Sequence, residues 1–214
     1  MEQKTCHIVA AAPVRFEVPH VAEGDLLIAA DGGFAKCLEV GLEPDLVIGD
    51  FDSFEGALPQ DMATPIIELP CAKDDTDLLA AIRIGLERGY RSFALHCALG
   101  GDLGHTAAVI RNLAWLREQG CEACAVGAGQ LAIIVVPADG LVSLSQWAGE
   151  LPIGCRVSVF AFGGDAAGVI ERGLAWELEE ATLKASDSIG VSNEVASVHP
   201  AVAVGEGALL VVIG

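Results

Sequence analysis

Basic residues are scarce in this chain: 12 lysines and arginines stand against 30 aspartates and glutamates, a formal net charge of −18. A protein that holds nucleic acid or an anionic membrane unaided needs a basic surface, and no Lys/Arg cluster here could form one. Neither is an expected partner. A phosphate-bearing substrate would need a divalent cation to mediate the contact. Long apolar runs are missing too, since the longest, residues 131–137, is of strand length and a spanning helix needs roughly 18 residues. The opening MEQKTCHIVAAAPVRFEVP lacks the basic start and long apolar stretch of a signal peptide, so a cytoplasmic location is the expectation. Cysteines number seven, and the odd count and apolar settings suit reduced, mostly buried thiols. Cys121-Glu-Ala-Cys124 is the one CxxC; no second ligand pair at zinc spacing accompanies it, so it reads as packing at a strand edge.

Apolar residues are plentiful, at 52% of the chain, enough for a folded protein with a real core. From residue 7 to about 136, short apolar runs alternate with helical patterns. The spacing predicts strands at 7–12, 26–30, 46–48, 66–69, 93–99, 123–126 and 131–136. Helices are predicted at 32–40, 77–88 and 106–119, ending at Gly41, Gly89 and Gly120, where a helix C-terminus commonly turns. Such alternation implies an α/β fold, a mainly parallel sheet with helices on both faces. The pattern changes near Pro137-Ala-Asp-Gly140. Beyond it, strand-like stretches at 141–144, 156–162, 169–170, 174–178, 202–204 and 209–213 are broken by glycine, and none has a helical period. That half reads as a smaller all-β sandwich or barrel. The expected domains are residues 1–138 and 139–214.

In open parallel sheets, ligands bind at the carboxyl ends of the strands, and there the unusual residues collect. Asp31-Gly32-Gly33 follows the strand 26–30. Asp50 and Asp52, in Val-Ile-Gly-Asp-Phe-Asp-Ser, follow 46–48 and point the same way in an extended chain. Gly100-Gly101-Asp102 follows 93–99, and Lys73-Asp74-Asp75-Thr76-Asp77 opens a helix. Each piece alone has an ordinary reading. Asp-Gly-Gly is a common turn, and acids that open a helix are usual caps. Their arrival at one edge, beside glycines that let a ligand approach the backbone, describes a magnesium–nucleotide site.

The stretches Ala30-Asp-Gly-Gly33, Pro44-Asp-Leu-Val-Ile-Gly-Asp-Phe-Asp-Ser53, Lys73-Asp-Asp-Thr-Asp77, Ala98-Leu-Gly-Gly101 with His105-Thr106, Gly173-Leu-Ala-Trp176 and Gly190-Val-Ser-Asn193 resemble, in order, those of the thiamine pyrophosphokinase family. The resemblance implies an α/β nucleotide-binding catalytic domain followed by a thiamine-binding β-sandwich. It also implies Mg2+-dependent transfer of a diphosphate from ATP to the hydroxyethyl oxygen of thiamine, with AMP released. By carry-over, Asp50 and Asp52 hold the magnesium, and Asp74 and Asp77 complete the acidic ring directly or through water. Asp31 orients substrate or helps deprotonate it. Lys73 supplies positive charge near the phosphates, with Gly32, Gly33, Gly100, Gly101 and Asp102 on the nucleotide side and His105 capping or packing beside the glycine loop. Thr76 either caps its helix or contacts a phosphate. Family members are homodimers with thiamine at the subunit interface, where Ser192 and Asn193 would offer polar groups. An aromatic face suits a thiazolium cation; Trp147 is the candidate, and Trp176 is assigned to the core.

Two departures stand out. Where the family carries Gly-Gly-Arg-x-Asp-His, this chain has Gly100-Gly101-Asp102-Leu103-Gly104-His105, and Ala10-Ala11-Ala12 replaces a glycine-rich turn. Arginine favours phosphate; an aspartate repels it unless metal-bound. Two alternatives to the active kinase are therefore open: a homologue that binds thiamine or nucleotide but has lost turnover, and a D-x-D nucleotide-sugar transferase built on Asp50 and Asp52. The transferase leaves the Lys73–Asp77 run and Ser192-Asn193 unexplained.

Overall fold

The structure is a computed structural model that describes residues 3–51, 64–70 and 75–214. The chain divides into two compact units, Met1–Ala128 and Gly129–Gly214. The division falls ahead of residue 138 because Gln130–Val135 pairs antiparallel with the last strand of the chain and so belongs with the second unit.

In the first unit the elements are β1 (Thr5–Val9), β2 (Leu26–Ala30), α1 (Gly33–Glu39), β3 (Leu46–Gly49), β4 (Ile66–Glu68), α2 (Asp77–Glu87), β5 (Ser92–His96), α3 (Leu103–Glu118) and β6 (Glu122–Gly127). The strands lie in the order β6-β5-β1-β2-β3-β4, and every pairing is parallel. All five residues of β2 are buried, as a central parallel strand with both faces covered requires. On one face α1 packs with Phe34 and Cys37 against Val9, Leu27, Ala29 and Val47. Its first residue must be glycine, since a Cβ on Gly33 would collide with the Val9 carbonyl. On the other face Gly85 of α2 brings that helix onto Cys6 and Phe93. The glycines predicted to end the helices, Gly41, Gly89 and Gly120, all have positive φ.

Three boundaries differ from expectation by three residues each. The strand predicted to 12 ends at Val9, because the ladder to β5 loses its register where the Ala12 N–H donates to the carbonyl of the left-handed Cys97. The strand predicted to 99 ends at His96, because Cys97 adopts φ 48°. The third helix starts at Leu103 rather than 106, because Asp102 caps it: Oδ1 accepts from the His105 N–H at 2.9 Å.

The second unit contains β7 (Gln130–Val135), β8 (Val142–Ser143), α4 (Ser145–Ala148), β9 (Arg156–Ala161), β10 (Ala166–Arg172), β11 (Leu178–Leu183), β12 (Asn193–Glu194), β13 (Ala201–Ala203) and β14 (Leu209–Ile213). It forms two antiparallel sheets, β12-β9-β14-β7 and β11-β10-β13-β8. Two short helical turns, α4 and a 3-10 turn at Pro137–Asp139, break the all-strand expectation. The strand predicted at 174–178 lies instead at 178–183: Gly173 turns at φ 68°, and the loop after it is held by side-chain hydrogen bonds.

Candidate active site

The parallel order places a switch point at β1, whose neighbours are β2 on one side and β5 on the other. Chain segments leave that point in opposite directions, and a crevice opens above the carboxyl ends. A cavity of about 220 Å³ lies there. Its floor comes from the ends of β1, β2 and β5 through Ala10–Pro13, Ala30–Asp31 and Cys97–Ala98. Its walls come from the first turn of α2 and from the first three turns of α3, as far as Asn112.

The strand ends carry unusual backbone. Asp31, Phe51 and Cys97 follow β2, β3 and β5 with φ of 47°, 54° and 48°. Left-handed conformations are uncommon for residues other than glycine and cluster at functional sites. Asp31 is also wedged against β3: a Cβ on Gly49 would come 2.9 Å from the Asp31 Cα, and the Asp31 N–H donates to the Ile48 carbonyl at 2.8 Å. Gly49 thereby lets Asp31 lie beside the residue that precedes Asp50.

The two helix starts are built by side-chain caps. Thr76 accepts from the Leu79 N–H at 3.2 Å, which settles its local role as an N-cap, while the residue still faces the cavity. Asp102 does the same for α3. A helix N-terminus carries partial positive charge and N–H groups without intrahelical partners. Two of them face this cavity, a meaningful contribution in a chain so poor in lysine and arginine.

Of the residues predicted for the site, Asp31, Thr76, Asp77, Gly100, Asp102 and His105 line the cavity. Gly32, Gly33 and Gly101 support it without lining it: a Cβ on Gly32 would lie 3.1 Å from the Ala11 Cβ, and one on Gly101 2.6 Å from the Pro13 ring. Asp50 follows β3 at the same edge, half-buried. Asp52, Lys73 and Asp74 lie outside the described residues. Among the described residues no three His, Cys, Asp or Glu are grouped to hold a metal ion. The carboxylates present at this edge are the hard oxygen donors that magnesium takes, so the donor chemistry fits the cation.

In the second unit, Ser192 is exposed with φ 58°, and its N–H donates to the Ser158 hydroxyl at 3.0 Å. Asn193 is buried and fully engaged. Its Oδ1 accepts from the Trp176 and Glu194 N–H groups, and its Nδ2 donates to the Trp176 carbonyl and to Glu171 Oε2. Trp147 is half-buried on α4. Trp176 is not a core residue, contrary to the sequence reading: it is 64% exposed, because Asn193 pins its backbone in a turn and leaves the ring outside.

Two polar features escaped the sequence reading. His7 and His96, on adjacent strands, are buried and stacked, with His7 Nδ1 3.0 Å from His96 Nε2 and His7 Nε2 3.3 Å from Asp25 Oδ2. Burial lowers both imidazole pKa values, that of His96 to about 4, with the neighbouring His7 adding to it. Asn112 is the second. It is buried on α3 yet lines the cavity, and its place on the face of Val109, Leu113 and Leu116 was the available signal.

Comparison with known proteins agrees with this geometry. Residues 20–125 match the family described as thiamin pyrophosphokinase, catalytic domain, and residues 150–209 match thiamin pyrophosphokinase, vitamin B1 binding domain. The search of curated proteins found no match. Among solved structures, a thiamine pyrophosphokinase from Bacillus subtilis superposes with a TM-score of 0.84 at 21% identity, covering 99% of each chain. One from Geobacillus thermodenitrificans gives 0.79 at 22% identity, covering 98% of this chain and 97% of that one. A Candida albicans thiamin pyrophosphokinase gives 0.76 at 13% identity, covering 98% and 89%.

Proposed function

Because the chain belongs to the thiamin pyrophosphokinase family, a family of diphosphotransferases, we propose that its first unit binds ATP and transfers the terminal diphosphate to thiamine held by its second. One observation carries this reading. The cavity at the switch point has carboxylates from β2 and α2 on its walls and two capped helix N-termini facing it. In the proposed reaction the hydroxyethyl oxygen of thiamine forms a bond to the β-phosphorus, the bond from that phosphorus to the α–β bridging oxygen breaks, and AMP leaves. The hydroxyl proton goes to a carboxylate, and Asp31, fixed by its contact with Gly49, is the acceptor. The helix N-termini orient the phosphate oxygens through backbone N–H groups, which places the reacting atoms without a basic cluster. Magnesium, when bound, offsets the triphosphate charge; Asp50, Asp52, Asp74 and Asp77 would hold it.

Thiamine recognition is assigned to Ser192 and its surroundings. Ile189, Val191 and Trp176 are 66%, 54% and 64% exposed, and exposed apolar groups around a polar residue support a homodimer whose interface receives thiamine. Trp176 joins Trp147 as an aromatic candidate for the thiazolium. The test is product identification with ATP, magnesium and thiamine. AMP formed only when thiamine is present supports the reading; ADP, or turnover independent of thiamine, overturns it. A binding-only reading has one observation in its favour: the Asp102 carboxylate occupies the start of α3, where a phosphate would otherwise dock. Calorimetry showing nucleotide and thiamine binding without turnover would select it.

A further inference from the structure

Asn112 is 9% exposed. Its carboxamide makes no hydrogen bond to the protein among the described residues, although its neighbours on the same helical face, Val109, Leu113 and Leu116, are apolar core. The side chain is held in place by packing alone, and its donor and acceptor are left to whatever fills the space beside it. That space is the cavity, which the side chain lines.

Position along the helix suggests what it meets. Asp102 and His105 sit at the phosphate-facing start of α3, and ten residues at 1.5 Å each place Asn112 about 15 Å further along the axis. That is the order of distance from a nucleotide's phosphates to its base. Among the other lining residues, Ala10, Ala30, Cys97, Ala108 and Val109 are small and mostly apolar, as a planar ring requires. A carboxamide carries one donor group and one acceptor, and this pair complements the amino group and ring nitrogen of adenine.

We infer that Asn112 is a specificity-determining residue that reads the hydrogen-bonding edge of the purine at the inner end of the cavity. The inference rests on the ATP-dependent reading above, but its test needs no turnover. AMP and GMP are titrated by calorimetry into the wild type and into Asn112→Leu and Asn112→Asp. Asn112→Leu is expected to weaken AMP binding about tenfold or more while the unfolding midpoint holds or rises, because no protein contact is lost. In Asn112→Asp two acceptors replace the donor–acceptor pair, and the AMP-to-GMP preference is expected to shift toward GMP, whose edge offers two donors. Unchanged AMP affinity in Asn112→Leu, or a lowered midpoint with unchanged affinity, overturns the inference. If Asn112→Leu does not fold, an unchanged AMP-to-GMP ratio in Asn112→Asp overturns it alone. Thiamine-dependent AMP release by the wild type with no affinity change in the variants would sink this inference and leave the function standing. Weakened AMP binding in an enzyme that never turns over thiamine would do the reverse.

Discussion

Two buried asparagines divide the polar chemistry of this molecule between them. Asn193 spends both ends of its carboxamide on protein: it ties Trp176 and Glu194 by their backbones and reaches Glu171 across from β12 to β10. Asn112 is buried to a similar degree and spends nothing on protein. Burial therefore does not tell a structural amide from a binding one. What separates them is whether their donors and acceptors are already matched. Within the site, Thr76 and Asp102 are likewise consumed in part, each by the cap of its helix.

The largest expected effect comes from the ligand-directed class. Asp50→Ala should lower turnover by roughly 10³-fold, the scale of removing one electrostatic group from a transition state, a loss larger than any change in the unfolding midpoint accounts for. A large stability loss instead would move Asp50 into the structural class. Asn193→Leu should do the opposite. It strands the Glu171 carboxyl and the Trp176 backbone, at roughly 3 kcal/mol, measured by urea unfolding at fixed pH. A variant as stable as the wild type would erase the contrast with Asn112.

The buried histidines give an intermediate effect that depends on pH. His96 has a folded-state pKa of about 4, below the usual value near 6.5. The unfolded chain binds the extra proton first, so stability is fully present above about 6.5 and is lost as pH falls toward 4. Unfolding curves across that window should be flatter in His96→Asn. Glu171 runs in the other sense. Burial raises its pKa, so its contribution declines as pH rises above the ordinary carboxylate range, and Glu171→Gln should remove that decline. The smallest effect is expected from Thr76→Ala, about 1 kcal/mol from the lost cap. A change in KM for ATP beyond that would show the hydroxyl also meets phosphate.

Much of the fold is readable in the chain because central parallel strands are unbroken apolar runs; β2 is predicted residue for residue. The misplaced boundaries share a cause. The run Cys97-Ala98-Leu99 is as apolar and buried as the strand before it, so hydropathy could not reveal that one residue turns left-handed and ends the ladder. At 173–178 an apolar stretch proved to be a turn, because a hydrogen bond from 17 residues away fixes it. The acidic edge is legible because like charges at strand ends have few structural uses. Asn112 was hidden by its setting in an ordinary amphipathic helix. The His7–His96 pair depends on a register between strands 89 residues apart, which no local spacing contains.

The left-handed residues that close β2, β3 and β5 bear on how such a chain can vary. A branched side chain at Asp31, Phe51 or Cys97 would clash with its own backbone. A library randomised at those positions and screened only for soluble, folded protein should return glycine, asparagine and aspartate well above chance and almost no valine or isoleucine. The segments beyond Asp31 and Cys97 can change composition while these residues stay confined to a short alphabet. Sequence restriction there would thus arise from backbone geometry alone, before any selection for chemistry has acted.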